Sequence, residues 1–121
     1  MFIIDGDDDK AMYRAADEAL DNGKYDVIFL YQLSFDYTMH AHGPCSDEAL
    51  KVLDTLTARF EAMAQHAQSV WKDHKRLIVF NSDHGSHKVE NDPDHKGMHG
   101  ENIPEDMQMK WFFGAFPEKT Y

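Results

Sequence analysis

The chain has 121 residues, with 12 Lys and Arg against 22 Asp and Glu, so its formal charge at pH 7 is −10. So acidic a surface repels phosphate backbones and anionic lipids, which excludes simple binding of nucleic acid or of a membrane surface. No apolar run approaches the roughly 20 residues of a membrane span. The single cysteine, Cys45, excludes an internal disulfide and is typical of a reducing compartment. Since Met1–Ile4 is too short for a signal peptide, we expect a cytoplasmic protein.

The first half of the chain alternates between helical and extended patterns. Residues 7–22 predict a helix, with acids in its first turn, and the apolar run 25–33 predicts a strand buried on both faces. Residues 34–44 are polar and turn-forming. A long helix is predicted from Ser46 to about His74. Its apolar stripe steps by three and four and consists of Leu50, Leu53, Leu56, Phe60, Met63, Ala67, Val70 and Trp71.

The second half predicts another buried strand at 77–80, an irregular loop at 86–106 and a last strand within 107–116. Strands that alternate with helices are typical of an α/β layer structure in which the strands run parallel. The sequence therefore predicts one α/β domain over residues 1–121, with a largely parallel sheet flanked by helices.

Acid–imidazole pairs follow both predicted buried strands. Asp36 and His40 come after the first strand, and Asp83 and His84 come directly after the second. Ligands of open α/β sheets bind beyond the carboxyl ends of the strands, so we expect the two pairs to lie at one edge of the sheet. His99 lies in the loop that follows. Carboxylates and neutral imidazoles are common ligands of zinc and similar divalent ions, which predicts a metal site there.

Three motifs resemble those of a known enzyme family. Residues 36–44, DYTMHAHGP, are similar to the Asp-x-x-Gly-His-x-x-Gly-Pro segment of nucleotide pyrophosphatase/phosphodiesterases, members of the alkaline phosphatase superfamily. Residues 82–85, SDHG, resemble the family's Ser/Thr-Asp-His-Gly. Residues 99–102, HGEN, followed by Met107 and a final strand, resemble its His-Gly-x-x-Asn ending. The resemblance covers about residues 25–116.

The resemblance implies a centre with two divalent metal ions, zinc or manganese. Asp36, His40 and His99 would bind one ion, and Asp83 and His84 the other. In that superfamily the hydroxyl of a Thr or Ser on the second metal attacks phosphorus or sulfur and forms a covalent intermediate. Water on the first metal later hydrolyses this intermediate. Metals serve this chemistry because they lower the pKa of the attacking groups and neutralise charge on the phosphoryl oxygens.

The sequence also departs from the family pattern. Met39 replaces a glycine, and the nucleophile and a further ligand Asp belong far upstream, whereas only 35 residues precede Asp36. Asp5 superficially resembles the missing ligand but lies too close to Asp36. We therefore expect the C-terminal portion of a larger hydrolase domain with a partial alkaline-phosphatase-like fold, and no catalytic nucleophile in this chain. Thr38 and Ser34 do not occupy the nucleophile position.

The resemblance implies a metal-dependent phosphoric ester hydrolase acting on a phosphorylated small molecule. Sulfatases and cofactor-independent phosphoglycerate mutases are alternatives within the superfamily. An alternative of another class is a non-catalytic metal-binding domain that holds one ion and has a structural or partner role. A homo-oligomer that pairs through an exposed sheet edge is a further expectation.

The remaining histidines have less definite roles. His42, His87 and His95 either approach the site or are solvated. His66 and His74 are expected to be exposed on the long helix.

Overall fold

The computed structural model describes residues 8–118, which form four helices and four strands. In chain order these are α1 (Asp9–Asp21), α2 (Ser34–His42), α3 (Asp47–Val70), β1 (Arg76–Asn81), β2 (His87–Lys88), β3 (Gly97–Met98), α4 (Pro104–Met107) and β4 (Trp111–Phe116). Strand β1 pairs antiparallel with β4, and β2 pairs antiparallel with β3. None of the helices within residues 8–118 is both long and apolar enough to cross a bilayer.

The two helices predicted from periodicity are confirmed, and side-chain caps mark where they begin. A carboxylate oxygen of Asp8 accepts hydrogen bonds from the backbone N–H groups of Lys10 and Ala11, so α1 begins at Asp9. The predicted start at Asp7 lies outside the described residues. The Ser46 hydroxyl accepts a hydrogen bond from the Ala49 N–H at 3.1 Å and caps α3. Helix α3 ends at Val70, short of the predicted His74.

Helix α2 occupies a stretch that the sequence predicts to be a polar loop. Its start is held by Asp9 of α1, whose carboxylate accepts hydrogen bonds from the N–H groups of Leu33 and Ser34 at 2.8 and 3.1 Å. Its end is marked by Gly43, which has a φ of +97°, a conformation that favours glycine. The helix depends on this tertiary cap, which no local pattern in the sequence indicates. It carries two of the predicted metal ligands.

The β1–β4 sheet has one covered face and one exposed face. On the covered face the ring of Phe80 packs against Phe60 of α3, with ring centroids 4.8 Å apart. On the other face Val79 lies opposite Phe113, and the Phe113 side chain is 74% exposed. The prediction that β1 is buried on both faces is therefore wrong, because no second layer covers this face within residues 8–118.

The largely parallel sheet expected from the sequence is not observed in the described part of the chain. Both sheets there are two-stranded and antiparallel. Residues 25–33, predicted to be a buried strand, form no strand, and Val27 and Phe29 are 82% and 83% exposed. An apolar run becomes a buried strand only when other strands pair with its edges and other layers cover its faces. The mixture of helices and strands agrees with the coarser prediction of an α/β domain.

Candidate metal centre

Helix α2 presents Asp36 and His40 on one face, because residues four apart lie one above the other on a helix. The Nε2 atom of His40 is 3.6 Å from Oδ1 of Asp36. Both side chains are about a quarter exposed and are therefore accessible to a small ion.

His99 is brought to α2 by the packing of strand β3 on that helix. The Lys96 N–H donates a hydrogen bond to the carbonyl oxygen of His40 at 2.7 Å. A Cβ atom at Gly97 would lie 2.6 Å from both the carbonyl oxygen and the sulfur of Met39, so only glycine allows this approach. As a result, ligand atoms of Asp36, His40 and His99 all lie within 4.8 Å of one another.

The Oδ1 atom of Asp36 is the centre of this cluster. It is buried and has no hydrogen-bond partner among the described residues. Three imidazole Nε2 atoms surround it, at 3.6 Å for His40, 3.8 Å for His84 and 3.4 Å for His99. These separations are too long for hydrogen bonds. They resemble the spacing of about 3.3 Å between two ligands of one tetrahedral zinc ion, so the donor set fits a divalent cation.

Backbone carbonyls indicate the tautomer of two of these rings. The Nδ1 atoms of His40 and His84 lie 2.8 Å from the carbonyl oxygens of Gly97 and Gly85, respectively. A carbonyl oxygen can only accept, so each ring donates from Nδ1 and the neutral ring keeps a lone pair on Nε2. Both Nε2 atoms face Asp36. This is the arrangement in which a metal-binding histidine is held by a second partner.

The second predicted pair, Asp83 and His84, follows β1 directly and adjoins the first cluster. Their closest ionisable atoms, Oδ1 of Asp83 and Nε2 of His84, are 3.7 Å apart, and the His84 ring stacks on His99 with centroids 3.8 Å apart. The structure therefore brings the five residues predicted from the sequence into one region. That they bind metal stays a prediction.

Tyr31 contacts this second pair and was not identified from the sequence. Its hydroxyl donates a 2.6 Å hydrogen bond to Oδ2 of Asp83, across 52 positions of the chain. This bond, with partial burial, raises the pKa of Tyr31 to about 12. Partial burial opposes ionisation of Asp83, yet the bond from Tyr31 and the neighbouring His84 hold the pKa of Asp83 below its usual value. Asp83 is thus a carboxylate with a fixed orientation.

The remaining histidines have different surroundings. His95 lies near the centre, with its ring 6.1 Å from that of His40, whereas His42 is exposed at the end of α2. His87 donates from Nδ1 to Asp106 at 2.8 Å, and this bond raises the pKa of His87. The expectation that His66 is simply exposed is wrong, because both of its ring nitrogens contact carboxylates of α1. His74 is exposed as predicted.

Neither hydroxyl considered in the sequence is presented as a nucleophile. Thr38 donates to the carbonyl oxygen of Ser34 at 2.7 Å, and the Ser34 hydroxyl bonds to Asp9. Both hydroxyls therefore serve the start of α2. Asp5 lies outside the described residues.

Comparison with known proteins agrees with the motifs and the geometry. Residues 4–117 match the family described as type I phosphodiesterase / nucleotide pyrophosphatase. The chain belongs to this family, within the alkaline phosphatase superfamily.

A curated relative matches the chain over only a small part of its own length. The GPI ethanolamine phosphate transferase 1 of Emericella nidulans is 28% identical over 96 residues, which cover 77% of this chain and 10% of that protein. The chain thus spans about a tenth of the length of this curated relative. No solved structure matches the chain significantly.

Proposed function

We propose that this chain is the metal-binding portion of a centre that cleaves phosphoric esters. One divalent ion would be held by Asp36, His40 and His99, and a second by Asp83 and His84. The observation that carries the proposal is the buried Oδ1 atom of Asp36, which has no hydrogen-bond partner among the described residues and faces three imidazole nitrogens. A buried carboxylate oxygen without a partner costs free energy, and a cation would satisfy it.

The chemistry of the ligands suits phosphoryl substrates. When bound, the cations would polarise phosphoryl oxygens and lower the pKa of an attacking hydroxyl or water. The residues of this chain contribute two carboxylates that balance the positive charge and three rings, two of which are oriented by backbone carbonyls so that Nε2 is available to a cation. The ions would be zinc or manganese, since Asp and His ligands accept both.

Family membership supports phosphoric ester hydrolysis as the reaction of a complete centre. The name of the fungal relative, a phosphate transferase, supports the same phosphorus chemistry with an acceptor other than water. The Thr or Ser nucleophile would come from outside this chain, and the substrate would be a phosphorylated small molecule. In the complete domain, residues 25–33 would form a strand parallel to β1, which would explain their apolar character.

A second candidate is a metal-binding domain without turnover. The observation that favours it is that the two hydroxyls considered as nucleophiles already have partners, since Ser34 bonds to Asp9 of α1 and Thr38 bonds to the carbonyl oxygen of Ser34. Such a domain could pair with a second copy through the edges of the β1–β4 sheet with which no strand within residues 8–118 pairs, and gel filtration with and without zinc tests this.

Calorimetric titration of the metal-free protein with zinc and with manganese tests the proposal. We expect saturable binding that weakens by at least about 100-fold in Asp36→Ala, which removes the central ligand, whereas loss of a residue that only orients a ligand costs about 10–100-fold. His74→Ala is the matched control, because it removes an exposed histidine outside the centre and should bind like the wild type. If the wild type binds neither ion, or if both variants bind equally, the proposal is wrong.

Turnover distinguishes the two candidates. With zinc or manganese, p-nitrophenyl phosphate and bis-p-nitrophenyl phosphate report monoester and diester hydrolysis. We expect metal binding without hydrolysis by this chain alone, since the nucleophile lies elsewhere. Hydrolysis that disappears in Asp36→Ala but not in His74→Ala would show that the chain contains a complete centre and would exclude the non-catalytic candidate.

A further inference from the structure

The loop between residues 85 and 106 determines how two of the proposed ligands meet. It begins directly after His84, and it carries His99. Its two-residue strands, β2 and β3, supply few of the contacts that could hold it closed. The distance between the two rings therefore depends on how the ends of the loop are joined.

A single residue, Asp106, joins those ends. Its Oδ1 atom accepts a 2.8 Å hydrogen bond from Nδ1 of His87, and its Oδ2 atom accepts one of 2.8 Å from the Glu101 N–H. Its own carbonyl oxygen accepts a 2.8 Å hydrogen bond from the Gly85 N–H. The carboxylate thus contacts residues near the beginning and near the end of the loop.

The site is closely packed around Asp106. The residue is only 4% exposed, unusual for a carboxylate unless its oxygens are bonded. A Cβ atom at Gly85 would lie 1.9 Å from the carbonyl oxygen of Glu105, so the backbone at 105–106 presses directly on the backbone next to His84. Neither the segment at 105–106 nor the backbone at Gly85 can shift without breaking these contacts. Among the described residues no hydrogen bond joins Asp106 to the five proposed metal ligands, so its hydrogen bonds act on them through the backbone of the loop.

We propose that Asp106 is a positioning residue, which together with His87 holds His84 and His99 at the separation required of metal ligands. We call Asp106, His87, Gly85 and Glu101 the Asp106 latch. That the latch serves metal binding rests on the proposed function. The hydrogen bonds themselves close the loop whether or not an ion is bound. Breaking the latch should loosen the loop and weaken metal binding while leaving α3 intact.

Four variants test the latch. His87→Ala removes the donor to Asp106, whereas His87→Asn places an amide N–H close to the position of Nδ1 and should preserve the bond. Asp106→Asn keeps the shape of the side chain but has one acceptor oxygen, so it cannot accept both hydrogen bonds. Asp17→Asn is the matched control, because it neutralises an equivalent carboxylate partner of an imidazole, that of His66, at a distance from the centre.

Trypsin cleavage of the metal-free protein is the first readout. The loop contains Lys88 and Lys96, and α3 contains Arg59 as an internal reference. We expect cleavage after the two lysines to be about 10-fold faster in His87→Ala and Asp106→Asn, with wild-type rates in His87→Asn and Asp17→Asn. If cleavage after Arg59 accelerates equally, the variants unfold globally and the positioning role is wrong.

Zinc titration of the same variants is the second readout. We expect about 10-fold weaker binding in His87→Ala and Asp106→Asn, and wild-type affinity in His87→Asn. Equal affinity and equal cleavage in all four variants would overturn the latch. If the wild type binds no zinc, the proposed metal function fails, and the cleavage rates alone decide whether the latch closes the loop.

Discussion

The Nδ1 atom of His40 lies 2.8 Å from the carbonyl oxygen of Gly97, a residue 57 positions later in the chain. This bond couples a proposed metal ligand on α2 to the strand β3 that leads to His99. The same strand packs so closely on α2 that a side chain at position 97 has no room beside Met39. The orientation of one proposed ligand and the position of another therefore both involve the packing of β3 on α2.

Gly97→Ala should disrupt this contact. The added Cβ atom would lie 2.6 Å from backbone and side-chain atoms of Met39, so β3 must move away from α2. We expect a loss of about 1–3 kcal/mol in the free energy of unfolding, typical of overpacking, and zinc binding weakened by about 10-fold. Chemical denaturation and calorimetric titration measure the two effects.

Gly23→Ala is the control for Gly97→Ala. Nothing lies within 4 Å of the position of its Cβ, and its φ of +64° predicts only a conformational cost of about 1–2 kcal/mol. Its zinc affinity should equal that of the wild type. Unchanged zinc affinity in Gly97→Ala, with the fold retained, would contradict the coupling between α2 and β3.

Tyr31→Phe should weaken metal binding without affecting the fold. The variant keeps the ring but removes the hydroxyl that donates to Oδ2 of Asp83. Because partners of this kind orient ligating carboxylates, we expect affinity for the second ion to fall by about 10-fold. Tyr31 is 47% exposed, so the melting temperature should change little.

Tyr37→Phe is the matched control, since Tyr37 is also about half exposed and lies on α2 beside Asp36. Calorimetric titration with manganese and with zinc compares the two variants. Equal affinities in Tyr31→Phe and Tyr37→Phe would show that the hydroxyl of Tyr31 does not orient Asp83 for metal binding.

Bound metal should raise the melting temperature. An ion that binds only the folded state at 100 times its dissociation constant stabilises that state by about 2.7 kcal/mol. For a domain of this size we expect an increase of about 10 °C with excess zinc, and little change in Asp36→Asn. Differential scanning fluorimetry measures both. A wild-type melting temperature that excess zinc and excess manganese leave unchanged would count against the proposed centre.

The residues of the candidate centre could be chosen from the sequence because their signals are local. Asp36 and His40 are four residues apart after one predicted strand, and Asp83 and His84 are adjacent directly after the other, so each pair is recognisable from residue type and spacing alone. The long helix could be predicted for the same reason, since Ser46 provides its cap and the apolar positions repeat at helical spacing. His99 was placed by resemblance to the family motif.

What could not be predicted depends on contacts between distant residues. Helix α2 begins where Asp9 accepts its first N–H groups, and Tyr31 and Asp83 are 52 positions apart. The partner of His87, Asp106, is 19 positions away and belongs to no repeating pattern. The apolar run 25–33 predicts a buried strand, whereas its Val27 and Phe29 side chains are 82% and 83% exposed among the described residues. The hydrophobic pattern alone therefore predicts more strands in the sheet than the described residues form.

The contact between α1 and α3 includes a histidine with two acidic partners. Nδ1 of His66 lies 2.6 Å from Oδ1 of Asp17, and Nε2 lies 2.9 Å from Oδ1 of Asp21. A carboxylate can only accept, so both ring nitrogens donate when the ring is protonated. The bond to Asp17 is the main reason that the pKa of His66 is raised above 6.5, although partial burial opposes the shift. The charged ring thus joins the two helices.

His66→Gln should therefore lower stability more in acid than in alkali. A raised pKa in the folded state means that the stabilisation is fully present below the unfolded pKa of 6.5 and is lost as the pH rises through the folded pKa. We expect the melting temperature of His66→Gln to lie about 4 °C below that of the wild type at pH 5.5, for an interaction of about 1 kcal/mol, and closer to that of the wild type at pH 9. His74→Gln, at an exposed position, should match the wild type at both pH values. A difference for His66→Gln that is the same at pH 5.5 and pH 9 would mean that the charge of His66 does not hold α1 on α3.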